Sequence, residues 1–194
     1  MLTRSYKNRI ATLSVDELFL SRWSPRSFDT DFVITEQQLL TVFEAARWSW
    51  SSNNLQPWRF IYGYRGNATF QKILAGLDEY NAIWAKNASV LVLILTQIEG
   101  EKGPNYSALF DTGAAAMSMS LQLQLLELSD RHMGGINRDL LRESFQIPEK
   151  FAIHCAVAMG KQDTANNLDE FNQPRETPSD RLLVSELAKT HFDF

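Results

Sequence analysis

Residues 89–96 read SVLVLILT and are apolar or β-branched almost without interruption. A strand with one face in water alternates apolar and polar residues, whereas a strand covered on both faces is apolar throughout. This segment therefore predicts a central strand in a sheet that carries helices on both sides. It is far too short to cross a bilayer, which needs about 20 apolar residues, so we expect no membrane partner.

The remaining elements are predicted from the spacing of apolar residues. Thr35 is a suitable helix cap, and Gln38 stands at the capping-box position three residues later. Alternating aromatic residues indicate a strand, and runs at helical spacing indicate helices. Helices therefore alternate with a few strands, so the class is α+β. Besides residues 89–96, the chain is predicted to form strands over 59–64 and 151–159 and helices over 35–46, 68–76, 106–128 and 137–145.

Composition narrows the function classes. The 194 residues, 44% of them hydrophobic, suit a single domain over residues 1–194. The formal charge of -4 is spread along the chain, so no basic block indicates nucleic acid as a partner. Cys155 is the single cysteine, which excludes an intrachain disulfide, and the three histidines match no metal-ligand spacing. The first ten residues lack the apolar stretch of a signal peptide, and we expect a cytoplasmic protein.

The C-terminal part changes character at residue 161. Residues 161–180 are polar and contain Pro174 and Pro178, which is typical of an extended arm. Residues 182–194 regain apolar side chains, but too few for a core of their own. We expect this tail to dock on its own domain or on a partner subunit.

Two loops carry candidate binding residues. Arg22, Ser24 and Arg26 follow a segment predicted to be helical, and arginine gives forked, charge-assisted hydrogen bonds to phosphate. Taken alone, they are better explained as a solvated basic loop that follows a helix. Residues 50–58, WSSNNLQPW, offer hydroxyls, amides and two indoles, which suit the edge and face of a heteroaromatic ring. The alternative is a polar turn anchored by tryptophans.

Six segments, in order, resemble the nitroreductase family. The resemblance covers nearly the whole chain, although the chain departs from the family pattern at Trp50, Trp84 and Gly134. The matching segments are Arg22-x-Ser24-x-Arg26-x-Phe28, residues 45–61, Tyr80-Asn81 with residues 84–88, Asp111-Thr-Gly-Ala-Ala, His132-Met-Gly-Gly-Ile136 with Ile147-Pro-Glu149, and residues 175–181.

The resemblance implies FMN as cofactor. Arg22, Ser24 and the backbone of Trp23 would hold its phosphate and ribityl chain, and Arg181 would also reach the phosphate. Arg26 would lie beside N1 and the C2 carbonyl of the isoalloxazine. A fixed cation there would stabilise the negative charge that reduction adds.

The resemblance also implies how the ring is held. Asn81 would pair with its pyrimidine edge, and the backbone of Met133, Gly134 and Gly135 would lie near N5, where glycine permits close approach. A loop from the other subunit would complete the site. That loop contributes Trp50, Ser51, Ser52 and Asn54.

The implied fold is a central, mostly antiparallel sheet flanked by helices, in an intertwined homodimer with an extended C-terminal arm. The implied function is transfer of electrons from NADH or NADPH to a small organic acceptor by a ping-pong mechanism, with the chemistry at flavin N5 and no catalytic side chain. Nitroaromatics, quinones and enones are the expected acceptors. Two alternatives stay open: a flavin enzyme of the same fold that performs dehalogenation, flavin fragmentation or azoline oxidation, and a non-catalytic flavin-binding module.

Three other residues have structural explanations at this stage. Cys155 lies within a predicted apolar strand and is expected to be a buried small residue. His132 is expected to make a structural hydrogen bond rather than to donate a proton to substrate. Asp111 is expected to serve its own helix or a neighbouring segment.

Overall fold

The computed structural model describes residues 5–101 and 103–192, so the first four residues of the chain and the last two of the tail lie outside it. Its centre is an antiparallel four-stranded sheet built from β3 (Trp58–Tyr64), β4 (Val90–Gln97), β7 (Ser129–Met133) and β8 (Phe151–Gly160). The spatial order is β3-β4-β8-β7. Two small hairpins stand apart from it: β1 (Ser5–Tyr6) with β2 (Arg9–Ile10), and β5 (Glu99–Gly100) with β6 (Gly103–Pro104).

The predicted central strand is confirmed. Residues 90–96 of β4 are all buried, and β4 pairs with β3 on one side and β8 on the other. The described residues form seven α-helices: α1 (Glu17–Ser21), α2 (Glu36–Arg47), α3 (Ala68–Ala75), α4 (Glu79–Ala85), α5 (Ala108–Leu125), α6 (Arg138–Phe145) and α7 (Val184–Leu187).

Each face of the sheet carries its own apolar core. On one face, Val92 and Val157 pack with Leu39 of α2 and Met119 of α5. The opposite face buries side chains of β4 and β8 under α3, α4 and α6, with Trp84 the largest. Side chains alternate between the two faces of a strand, so β4 contributes side chains to both cores. This arrangement is the α+β fold that the sequence predicts.

Strand β7 and helix α4, which pack against the main body of the domain, had no prediction of their own. Strand β7 reads SDRHM and forms one edge of the sheet, where charged residues are tolerated. These residues obscure the alternation of apolar and polar side chains by which a strand is predicted. Helix α4 has only seven residues, begins after the Asp78 cap and lies within a segment that carries no long apolar stripe. Short or polar elements of this kind depend on tertiary packing more than on local pattern.

The arm and the tail lie differently on the domain. Residues 161–180 run along it with two short 3₁₀ turns, Ala165–Asn167 and Gln173–Arg175, and Pro178 is buried. Residues 181–192 are exposed throughout, including α7. The tail is therefore not buried in the core of its own domain. None of the described helices is long and apolar enough to cross a membrane.

The capping box of α2 allows a test of the helix assignment. Gln38 N–H donates to Thr35 Oγ1 at 3.2 Å, and Thr35 N–H donates to Gln38 Oε1 at 3.0 Å. We expect Thr35→Ala to lower the free energy of unfolding by about 1 kcal/mol, measured by urea denaturation, because the cap is lost. Thr41→Ala in the same helix is the control and should change it by less than about 0.5 kcal/mol. Equal effects of the two substitutions would contradict the cap's role.

Candidate functional site

The loop after α1 is the first part of the site. Asp16 caps α1 by accepting a hydrogen bond from Leu18 N–H at 2.9 Å, and the helix ends at Ser21. Arg22 is therefore the first residue outside a helix, and the chain continues in extended conformation. Trp23 and Pro25 are buried, which fixes the loop on the domain while Arg22, Ser24 and Arg26 line a cavity.

That cavity has a volume of about 290 Å³ and is lined mainly by cations. The sequence predicts five of its residues, Arg22, Trp23, Ser24, Arg26 and Arg181, and the structure brings all five together. We call the cavity formed by all ten lining residues the arginine cavity. The residues that sequence reasoning missed are Arg9, Arg131, Arg175, Thr177 and Ser179.

Arg9 and Arg131 reach the cavity from distant parts of the chain. Arg9 donates from Nε to the Ser179 carbonyl at 2.9 Å and from Nη1 to the carbonyls of Leu20 and Arg22 at 2.9 and 2.6 Å. Arg131, on β7, donates from Nη1 to the Ser24 carbonyl. Arg9 thus joins the N-terminal hairpin, the end of α1 and the arm, and no local sequence signal marks this role.

The arginine cavity is electrostatically suited to an anion. Burial, with repulsion from Arg181 and Arg22, lowers the pKa of Arg9. Burial and the nearby Arg26 lower the pKa of Arg131. A bound anion would relieve this repulsion. The indole Nε1 of Trp23 is buried and has no hydrogen-bond partner within the described residues. Because unpaired buried donors are costly, this N–H also suits a ligand that brings an acceptor.

Glu176 holds the arm against the cavity loop. Its side chain is 2% exposed. Its carboxylate accepts hydrogen bonds from Arg26 N–H at 2.8 Å and from Ser27 N–H at 2.9 Å. The guanidinium of Arg26 lies 4.0 Å from the same carboxylate and donates to the Arg175 carbonyl at 3.2 Å. The backbone of the loop therefore depends on a residue 150 positions away.

A second group of predicted residues lies at the C-terminal end of β7. Met133 is buried in the sheet, and Gly134 and Gly135 follow it. A Cβ on Gly135 would lie 1.8 Å from an Asp78 carboxylate oxygen and 3.0 Å from Asn81 Nδ2, whereas Gly134 faces open space. Only glycine fits at 135, and it brings this backbone against the amide of Asn81. Arg131 of the arginine cavity stands two residues before Met133, so β7 links the two groups.

The arm links them as well. Tyr80, next to Asn81, packs on Phe171 with ring centroids 6.4 Å apart. The Arg175 guanidinium stacks on the Phe171 ring, 3.8 Å from its centroid. The predicted residues Asn81, Met133, Gly134 and Gly135 are therefore connected to the arginine cavity through β7 and the arm, but none of them lines it.

The predicted loop residues Trp50, Ser51, Ser52 and Asn54 lie elsewhere. Ser52 lines a second, larger cavity of about 700 Å³ with Tyr106 and residues of the β5–β6 hairpin, and the two cavities share no lining residue. Ser52 N–H donates to Asp111 at 3.0 Å, which confirms that Asp111 serves a neighbouring segment.

The backbone of this loop is strained. Asn53, Asn54 and Gln56 have φ values of 51°, 55° and 46°. Asparagine tolerates this left-handed region better than most residues, whereas glutamine is rare there. Such conformations persist only where the surroundings hold them, and they are concentrated at functional sites.

His132 makes the structural hydrogen bond that the sequence predicts, from Nε2 to Asp130 at 2.9 Å. The expectation for Cys155 was wrong in part, because the residue is half-buried and faces the His132 ring. The reason is a bulge in β8, which turns the Cys155 side chain toward this ring. In the part of the chain that the structure describes, no group of three or more His, Cys, Asp or Glu side chains is arranged to hold a metal ion.

Fold and site together define an α+β protein with an arginine-lined cavity that suits an anion. Comparison with known proteins agrees. Residues 20–161 match the nitroreductase family. An oxidoreductase containing FMN, of known structure, is 36% identical, with a TM-score of 0.93 and 98% of each chain covered. A nitroreductase family protein from Clostridium difficile 630 is 20% identical, with a TM-score of 0.71 over 92% of this chain and 98% of that one.

A further relative is an oxygen-insensitive NADPH nitroreductase from Helicobacter acinonychis (strain Sheeba). It is 28% identical over 149 residues, which are 75% of this chain. The match spans 65% of that relative, less than two thirds of its length. The chain belongs to the nitroreductase family.

The role of Glu176 can be tested by unfolding. We expect Glu176→Ala to lower the free energy of unfolding by roughly 2–4 kcal/mol, because two buried backbone N–H groups lose their acceptor. Urea denaturation followed by circular dichroism measures it. Glu170→Ala, at an exposed position of the same arm, is the control and should have little effect. A loss no greater than that of the control would show that the loop holds its conformation without Glu176.

Proposed function

We propose that the chain binds FMN in the arginine cavity and transfers electrons from a reduced nicotinamide to a small organic acceptor. The observation that carries the proposal is the convergence of six arginines with Ser24, Thr177 and Ser179 on one small cavity. A phosphate monoester is the anion that such forked donors and hydroxyls suit best. Bound FMN would supply the redox chemistry, by taking hydride from the nicotinamide and passing electrons to the acceptor.

Each group of residues has a separate task in this proposal. Arg22, Ser24, Arg181 and the backbone of Trp23 would hold the phosphate end. Asn81 and the backbone of Met133, Gly134 and Gly135 hold the ring, since Gly134 leaves room for close approach. Arg26, whose guanidinium donates to the Arg175 carbonyl, would stabilise the negative charge that reduction adds to the ring.

The 36% identical FMN-containing oxidoreductase supports the cofactor assignment. The name of the Helicobacter relative supports NADPH as donor, with NADH as the alternative. Because donor and acceptor would occupy the same face of the ring in turn, we expect ping-pong kinetics, with nitroaromatic, quinone or enone acceptors. The cytoplasmic location stays a prediction.

Reconstitution with FMN tests the proposal. We expect the purified protein to show the visible absorption of bound flavin and to lose it when NADPH or NADH is added without oxygen. Arg22→Ala should raise the Kd for FMN roughly tenfold to hundredfold, because a charge-assisted hydrogen bond to phosphate is lost. Arg47→Ala, at an exposed position of α2, is the matched control and should leave the Kd unchanged.

The outcomes separate the alternatives. A flavin that binds but is not bleached by either nicotinamide would favour another redox role on the same fold. A protein that stays colourless with excess FMN would overturn both enzyme interpretations. Equal Kd values for Arg22→Ala and the unsubstituted protein would contradict binding of the phosphate in the arginine cavity.

We also propose that the functional unit is a homodimer and that its second copy supplies the Trp50–Asn54 loop. One face of α5 is apolar and exposed: Leu109 is 60% exposed, Phe110 71% and Met117 41%. The buried residues of α5, among them Ala115 and Met119, lie on the other face. Exposed apolar patches of this kind are typical of interfaces.

The loop belongs to the same surface. Trp50 is 68% exposed and its ring packs on Phe110, with centroids 6.4 Å apart. Any copy that covers α5 therefore also meets this loop. The exposed tail adds apolar side chains, since Leu182, Leu183 and Leu187 are each more than half exposed. Both features support a partner of the same sequence that completes the site.

A charge on the apolar face of α5 tests the dimer. We expect Phe110→Glu to give a monomer near 22.2 kDa by light scattering and to lose most FMN affinity, because the loop no longer completes the site. Leu140→Glu, on the exposed side of α6, is the control and should leave the mass unchanged. A monomeric unsubstituted protein, or a dimeric Phe110→Glu, would overturn this assembly.

A further inference from the structure

A second cluster of reactive side chains lies on the other face of β7. Arg131 and His132 are neighbours in an extended strand, so their side chains point to opposite faces of the sheet. Arg131 enters the arginine cavity, whereas His132 faces α5 and contacts Ser120. The cluster comprises His132, Asp130, Cys155 and Ser120, and it is distinct from the proposed flavin site.

The His132 ring is held at both nitrogens. Nε2 lies 2.9 Å from Asp130 Oδ2, whose side chain is 1% exposed, and Ser120 Oγ lies 2.5 Å from the same oxygen. Nδ1 lies 3.8 Å from Cys155 Sγ. Burial alone would lower the pKa of His132, but the hydrogen bonds and charges of Asp130 and Cys155 raise it to about 10. In this arrangement the ring is an imidazolium that donates to the carboxylate on one side and to sulfur on the other.

A bulge in β8 orients the Cys155 side chain toward this ring. Ile94 of β4 pairs with Cys155, and the next residue, Leu95, pairs with Ile153, so His154 is the extra residue. Before the bulge, Ile153 faces the core under α3, α4 and α6. After it, Cys155 packs against the core under α2 and α5. Bulges that re-aim a side chain occur preferentially next to functional sites.

The order Asp–His–Cys, with the histidine bridging carboxylate and sulfur, is the arrangement that activates thiols. A neighbouring imidazolium stabilises the thiolate, which is the reactive form. The site is also accessible, since Cys155 is half-buried and the His132 side chain is 32% exposed.

We propose that Cys155 is a reactive cysteine whose thiolate form hydroperoxides oxidise, with His132 as the proton donor. Sulfur attacks the terminal hydroxyl oxygen of the peroxide, so an S–O bond forms while the O–O bond breaks. Two electrons pass from sulfur to the peroxide, and the leaving alkoxide or hydroxide takes the Nδ1 proton of His132. The products are a sulfenic acid on Cys155 and an alcohol or water.

The sequence determines how this oxidation is reversed. The chain has one cysteine, so the sulfenic acid has no intrachain thiol with which to form a disulfide. A low-molecular-weight thiol must condense with it, releasing water and leaving a mixed disulfide, which a second such thiol reduces.

Trapping of the sulfenic acid tests the proposal on the full chain with FMN bound. Hydrogen peroxide is added, the product is captured with a dimedone reagent, and the mass of the peptide with Cys155 is followed over time. Iodoacetamide alkylation in parallel gives the reactivity of the thiol itself. We expect His132→Ala to slow both reactions at least about tenfold at neutral pH and Cys155→Ser to abolish both.

His154→Ala is the matched control, because this histidine adjoins Cys155 but its Nε2 makes no hydrogen bond to any described residue. It should leave both rates unchanged. Asp130→Asn gives a second reading if His132→Ala does not fold, and it should slow both reactions as well. Unsubstituted protein whose Cys155 reacts no faster than free cysteine would overturn the proposal, as would equal slowing by His154→Ala and His132→Ala.

Discussion

The hydrogen bonds from the backbone N–H groups of Arg26 and Ser27 to the buried carboxylate of Glu176 are the interaction on which the site depends. A buried carboxylate is tolerated only when its lone pairs are satisfied, and here backbone donors and the Arg26 guanidinium satisfy them. In return, the loop that presents Arg22 and Ser24 takes one conformation. The arginines repel one another, so a loop with freedom to move would relax away from the cavity. Glu176 opposes that relaxation and leaves the cationic cavity open for a ligand.

Strand β7 has a second organising role. Because side chains alternate along the strand, Arg131 lies in the arginine cavity and His132 faces α5. At the end of the strand, Met133, Gly134 and Gly135 bring the backbone close to the amide of Asn81. One five-residue edge strand therefore contributes to both reactive regions of the domain. A register slip by one residue would exchange the two faces and remove both, so the pairing of β7 with β8 specifies chemistry as well as packing.

Much of this was predictable from local sequence. The apolar run of β4, the Thr35 cap and the long α5 follow from periodicity alone, and the order of six segments leads to the family. Arg22, Ser24, Arg26 and Arg181 carry recognisable motifs. Arg9 and Arg131 carry none, because they reach the cavity only through the hairpin and the sheet edge. Cys155 was misjudged because periodicity assumes an uninterrupted strand, and the bulge at His154 reverses which face the residue joins.

The 150-residue separation between Arg26 and Glu176 has a consequence for synthesis. The ribosome releases the arginine loop early, whereas its carboxylate partner emerges after every strand of the sheet. A nascent chain that stops before the arm contains the complete sheet and, apart from Leu168, both apolar cores, yet the backbone N–H groups of Arg26 and Ser27 lack their carboxylate acceptor. Ordering of this loop across so long an interval of chain is slow because loop closure comes late. The cavity that the proposed cofactor would occupy is therefore completed only when the arm has docked.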